Sequence, residues 1–154
     1  MYGFGVALHV LGIAIWLGAS LTFMVFGPAS RRMPLEAWAA TWQTLAVVQR
    51  MLVAPSAAVA TVTGLLLTMS RVQGHLGMTT SLMLMQAFGL IAAILTIVFA
   101  TPLVNRMAAI AQRSVGKGQM DPAAERIRKV LAMVGSVAGV FVVVAIYFGV
   151  ANPA

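Results

Sequence analysis

His9 stands alone as an imidazole in an uncharged apolar run, Gly5-Val6-Ala7-Leu8-His9-Val10-Leu11-Gly12-Ile13-Ala14-Ile15-Trp16-Leu17-Gly18-Ala19-Ser20. A metal-binding or titratable group so placed is a functional candidate. On a helix, His9, Gly12, Trp16 and Ser20 share one face. An imidazole beside a glycine, with a wide aromatic ring one turn further on, makes a wall for a flat cofactor. The iron of haem b takes His or Met as axial ligand, and His9 with His75 or with one of Met69, Met83 and Met85 supplies such a pair. The same donors suit a copper ion in its Cu(I) state, which prefers imidazole and thioether to hard oxygen, so copper is the alternative. The plainer reading gives His9 a hydrogen bond to a neighbouring helix, with Gln86 or Tyr147 as its partner. It makes the methionines ordinary gap-fillers and His75 a solvated loop residue.

Other chemistries lack their parts. The carboxylates are Glu36, Asp121 and Glu125, all near basic segments, so no acid stands within an apolar run to relay protons or hold a cation. No Ser-His-Asp set and no phosphate-binding glycine loop can be assembled. The chain has no cysteine, which rules out disulfides, iron-sulfur clusters and thiolate metal sites in these residues. No independent catalytic constellation emerges, so enzyme activity stays an open question.

The elements that must position His9 follow from composition. Of 154 residues 61% are hydrophobic and only 8% charged, and the mean hydropathy is +0.97, too apolar for a water-soluble globule. Four apolar runs, near residues 4–26, 48–70, 81–103 and 130–150, are each long enough to cross a bilayer as a helix. No strand alternation is present, and a spanning segment must satisfy its own backbone, so the expectation is an all-α integral membrane four-helix bundle, one domain over 1–154. The first run has no basic n-region before it, so it reads as a permanent span.

Arg31, Arg32 and Arg50 flank the first loop, Arg71 marks the second, and Arg106, Arg113, Lys117, Arg126, Arg128 and Lys129 fill the third. The positive-inside rule then puts both termini outside and the first and third loops in the cytoplasm. The net charge of +7 thus reads as topology charge facing lipid rather than as a nucleic-acid surface. At 1.5 Å per residue His9 lies about 9 Å to the outer side of its span's midpoint, with Gln86 and Tyr147 at similar heights.

Local signals fill in the rest. Pro34-Leu35-Glu36 opens a helix that carries Trp38 and Trp42 as an interfacial belt. Arg50 is expected to snorkel towards lipid phosphates, and Pro55 to kink or open the second span. Thr79, Thr80 and Ser81 offer N-caps, Gly116-Lys117-Gly118 ends the third helix, and Asp121-Pro122 starts the fourth. Gly135 and Gly139 have the spacing of a helix-packing contact. A faint repeat pairs His9-x-x-Gly12 with Gln86-x-x-Gly89, which would make the fold two parallel helical hairpins and Gln86 the counterpart of His9.

Leu8-His9-Val10-Leu11-Gly12, Trp16-Leu17-Gly18, Arg50-Met51 ahead of Pro55, and Thr63-Gly64-Leu65 together resemble the membrane superfamily that includes the copper-resistance protein D domain and the HemJ-type protoporphyrinogen oxidases. The resemblance covers about half the chain and rests on short apolar motifs. It implies a small helical membrane protein whose first-span histidine, here His9, serves a haem b or metal site. HemJ-type enzymes also use a Lys near the third span. None stands between His9 and Lys117 in this chain, which bears against porphyrinogen oxidation.

The leading expectation is therefore a polytopic protein of the bacterial inner membrane that binds haem b beside His9, Gly12, Trp16, Gln86 and Tyr147. It would carry electrons or serve as a cytochrome-like subunit, among membrane-protein partners or as a homo-oligomer. The alternatives are copper handling through His9, His75, Met69, Met83 and Met85, and a cofactor-free structural subunit whose glycine faces pack on partner helices.

Overall fold

A backbone in hydrocarbon has no water to bond, so these apolar runs close every hydrogen bond within themselves. In the computed structural model, which describes residues 2–73 and 77–150, they form four helices: α1 (Tyr2–Arg32), α2 (Leu35–Gln73), α3 (Thr80–Lys117) and α4 (Ala123–Val150). All four are long and apolar enough to cross a membrane. This is the architecture of a polytopic membrane protein, a helical bundle with no strand among the described residues. Large apolar side chains such as Leu11, Leu66, Phe99 and Val143 point outward, which suits lipid rather than water. The interior is built largely of alanine, including Ala57, Ala60, Ala92 and Ala93, and small residues let helix backbones approach closely.

The stops and starts follow local chemistry. Gly118, left-handed at φ 68°, ends α3. Asp121 Oδ1 then accepts the Ala123 N–H at 3.0 Å, and the Asp121 N–H donates to Ser114 Oγ at 3.0 Å. Thr79 caps the start of α3 by accepting from the Leu82 N–H. Near the start of α4, Arg128 grips Glu125 with both ends of its guanidinium. The short connections after α1 and α3 lie at one end of the bundle, flanked by Arg31, Arg32, Lys117 and Arg126, while Arg71 stands at the other end, in the last turn of α2.

Neither α2 nor α3 is a plain rod. Both widen into a π turn just before a proline, at Gln49–Val53 ahead of Pro55 and at Leu95–Ala100 ahead of Pro102. Proline has no N–H for the ladder, and the ladder steps to five residues: the Ala54 N–H donates to the Gln49 carbonyl, the Thr101 N–H to the Thr96 carbonyl. The expected opening at Pro55 thus takes this form, and α3 has one like it.

The two π turns meet. Gln49, buried in α2, donates Nε2–H to the Thr96 carbonyl at 3.3 Å and to Thr101 Oγ1 at 3.0 Å, while Thr101 itself donates to the Thr96 carbonyl at 3.1 Å. The Thr96 carbonyl, which already accepts the Thr101 N–H within the π turn, is thus also served from the neighbouring helix. Gln49→Leu is therefore expected to cost about 1 kcal/mol, seen as a lower thermal midpoint in detergent. Combined with Thr101→Val the losses should not add, because the two side chains share one acceptor.

The helices pair in halves. α1 lies along the second half of α2, α4 along the first half of α3, and the remaining halves of α2 and α3 pack on each other at the basic end. α1 and α4 barely touch, and a crevice runs between them.

Three local expectations are corrected. Trp38 and Trp42 form no interfacial belt: each is 2% exposed, within a core that includes Val104, Ala108 and Leu131. The reason is the length of α2, a single helix whose buried face runs Trp38, Trp42, Leu45, Gln49, Val53, Ala57, Ala60 and Gly64 at three- and four-residue steps. Gly135 and Gly139 border the crevice rather than seat a neighbouring helix. Neither Gln86 nor Tyr147 partners His9, whose bonds run instead to α2.

Candidate functional site

His9 faces α2 with one edge of its ring. Nδ1 lies 2.7 Å from the Ala60 carbonyl oxygen and 3.3 Å from Thr63 Oγ1. A carbonyl oxygen only accepts, so Nδ1 carries a proton, and in the neutral ring Nε2 is the nitrogen with the lone pair. Such an Nδ1–H bond to a backbone carbonyl is how metal-binding imidazoles are commonly held. No described residue forms a hydrogen bond with Nε2.

Glycines make this placement possible. A Cβ on Gly64 would stand 2.8 Å from His9 Cε1, so the ring occupies the space that a side chain would take. One turn along α1, a Cβ on Gly12 would meet the Ala60 backbone nitrogen at 3.1 Å and the Ser56 carbonyl oxygen at 3.2 Å. Gly12 thus brings α1 against α2, and that close approach sets the reach of His9 to Ala60.

His9 lines a cavity of about 440 Å³ between α1, α3 and α4, with α2 behind. Its walls include Trp16, Met85, Gln86, Gly89 and Ile146 and are mostly apolar, as ligand sites generally are. Gln86 reaches α2 from the α3 side, donating Nε2–H to the Gly64 carbonyl at 3.0 Å and to Thr68 Oγ1. His9 and Gln86 therefore perform parallel tasks, bonding carbonyls on successive turns of α2 from opposite flanks. Met85 packs against Gly149, where a Cβ would lie 2.9 Å from its sulfur.

Of the residues singled out by sequence, the cavity gathers His9, Trp16, Gln86 and Met85, with Gly12 as the docking point just behind. Tyr147 does not join them: 66% exposed, it sets its ring edge-on against Phe148 and points away. Met69 and Met83 are likewise more than half exposed and line neither chamber of the crevice. His75 lies outside the described residues. No group of three or more His, Asp or Glu side chains able to hold a metal occurs among the described residues. Met85 is thus the sulfur donor that shares the His9 cavity.

The sequence reading missed the backbone half of the site. Ala60 carries no chemical signal, yet its carbonyl fixes the His9 tautomer. It also missed a second chamber of about 300 Å³ nearer the basic end, separated from the first by Trp16 and Val142, which line both. Comparison with protein-family models, with curated proteins and with solved structures finds no match.

Proposed function

We propose that this chain is a membrane haem b protein, with His9 Nε2 as one axial ligand, serving electron transfer by itself or as a cytochrome-like subunit. The observation that carries the reading is the Nδ1–H bond to Ala60, which in the neutral ring leaves Nε2 as the lone-pair nitrogen on a residue lining an apolar cavity. The donor set fits the group. His9 supplies imidazole nitrogen, Met85 on the same cavity supplies a thioether, and His/Met ligation is a known haem pairing that raises the reduction potential. Gly64 and Gly89 keep side-chain bulk away from the ring plane of His9 and from the α3 wall. When bound, haem supplies a reversible one-electron couple. The chain itself orients the imidazole through Ala60 and Thr63, holds α3 in place through Gln86, and excludes water with an apolar lining.

Copper is the second reading, favoured by the same pairing of imidazole and thioether. A cavity of this size with only two soft donors suits a large planar group better than a bare ion. With the basic end in the cytoplasm, His9 lies in the outer half of a bacterial inner membrane, where membrane-protein partners or a second copy would exchange electrons with it.

Protein purified in detergent from haem-replete cells should show a Soret band and about one iron per chain, with no copper. No Soret band, even after incubation with haem, overturns the reading. Met85→Leu is expected to retain the band but lower the reduction potential, whereas Met83→Leu, on the outer surface, should leave both unchanged. Cu(I) binding that falls on Met85→Leu, in protein with no Soret band, would favour copper.

A further inference from the structure

Charge from two helices meets across the crevice at its basic end. Arg128 borders the second chamber from α4 and holds Glu125, its Nε donating to Oε2 at 2.8 Å. Arg31, at the end of α1, and Lys129, beside Arg128, both stand close enough to act on the same carboxylate. Three cations thus surround one acid, and that acid is committed to Arg128. Arg31 and Lys129 are exposed, and neither has an ion-pair partner among the described residues. Cations gathered without matching acids make a field that attracts an anion.

Behind the charges the lining turns apolar. Leu131 and Gly135, one and two turns along α4 from Arg128, line a space of about 300 Å³, as does Gly27, one turn back along α1 from Arg31. Phe23 and Val142 wall it further in. Exposed Met24 and Ser136 stand at the rim, so the chamber opens sideways between α1 and α4, towards the surrounding hydrocarbon. A soluble anion would engage the cations and leave the chamber to water, which an apolar lining does not hold. A neutral apolar molecule would fill the chamber and leave the cations unmatched. What satisfies both is a negative headgroup joined to a hydrocarbon chain, and the positive-inside rule sets this end at the leaflet where anionic lipids gather.

We propose that the crevice binds one anionic phospholipid, its phosphate held by Arg31 and Lys129 and one acyl chain laid in the chamber between α1 and α4. The site is separate from the His9 cavity and does not rest on what His9 binds.

The test is native mass spectrometry of the full-length chain, released from micelles carrying equal amounts of dioleoyl phosphatidylglycerol and dioleoyl phosphatidylcholine. Saturable retention of one phosphatidylglycerol per chain is expected. Arg31→Gln and Lys129→Gln should each weaken it about fivefold, the scale of one cation at a lipid surface. Arg113→Gln removes an equal charge from an exposed position on α3, away from the crevice, and should leave it unchanged. A Cβ on Gly135 meets nothing within 4 Å, so Gly135→Leu adds bulk to the chamber without pressing on a neighbouring helix, and it should abolish retention. Gly18, equally free of contacts but outside the chamber, gives the matching control in Gly18→Leu. Glycerol phosphate, the headgroup without its chains, should not displace the lipid.

Equal retention of the two lipids, or no saturation, would overturn the proposal. An Arg113→Gln effect as large as that of Arg31→Gln would reduce the binding to the general charge of this end and sink it too. So would undiminished retention in Gly135→Leu, or displacement by glycerol phosphate, which would mark a site for phosphate alone. The two glutamine substitutions lie at exposed positions and keep the test open even if Gly135→Leu misfolds. Haem does not enter the readout, and His9→Ala protein is expected to retain the lipid as the wild type does.

Discussion

His9→Ala protein should insert and fold but lose essentially all of the Soret absorption proposed for the wild type. The effect on chemistry is large and the effect on folding small, because the two depend on different atoms of the ring. Nε2 is the proposed axial nitrogen, and nothing else in the cavity replaces it except the thioether of Met85. Nδ1 contributes one hydrogen bond to a carbonyl of α2, worth about 1 kcal/mol, and Ala60 remains packed at the α1–α2 contact without it. The truncated side chain also leaves a gap over Gly64, the place now filled by the His9 ring. Imidazole added to the solution should enter that gap and restore part of the Soret band. Rescue separates a ligand from a merely structural residue, since free imidazole can ligate iron but cannot rebuild a tethered contact between helices. A full Soret band in His9→Ala would move the iron elsewhere. Thr63→Val is the milder companion: it removes the second oxygen near Nδ1 but keeps the Ala60 bond, so haem affinity should fall by roughly tenfold, the scale on which outer hydrogen bonds act.

How far such a site can be read from sequence depends on which coordinate is being read. Height along a helix follows from residue number and rise alone, and His9 and Gln86, set at similar heights by that count, line one cavity. Azimuth needs to know which face is covered. Met83 and Met85 differ little in height but lie on nearly opposite sides of α3, and the structure exposes the first while turning the second towards the cavity. Tyr147 fails for the same reason, its neighbour Phe148 being the ring that stacks on Phe88. Trp38 and Trp42 matched an interfacial signature because aromatic residues beside basic ones usually mark the headgroup level. Their burial is decided by α2 running unbroken past them to pack on α3, which is a tertiary fact. Gln49 was overshadowed by Arg50 in the sequence, although Gln49 and Thr96 stand at matching places before Pro55 and Pro102. That match was the available signal for the joined π turns.

Gly12→Val is the substitution expected to do most harm to the fold and, through it, to the site. A Cβ at this position meets the backbone nitrogen and Cβ of Ala60 and the carbonyl oxygen of Ser56, all between 3.1 and 3.2 Å. Two of these atoms belong to the main chain of a hydrogen-bonded helix and cannot swing aside as a long side chain would. The branched side chain must therefore push α1 off α2, at a cost of about 1–3 kcal/mol for overpacking. Gly18 provides the control, since a Cβ there has nothing within 4 Å. Gly18→Val should leave the thermal midpoint close to that of the wild type, while Gly12→Val lowers it by several degrees. The consequence for His9 follows from position, because it lies one turn from Gly12 on the same face. Withdrawing α1 lengthens the bond from Nδ1 to Ala60, frees the tautomer that the carbonyl had fixed, and should weaken haem retention even though no ligand atom has been changed. A Gly12→Val protein with a normal midpoint and an undiminished Soret band would show that the α1–α2 contact is not what holds His9 in place.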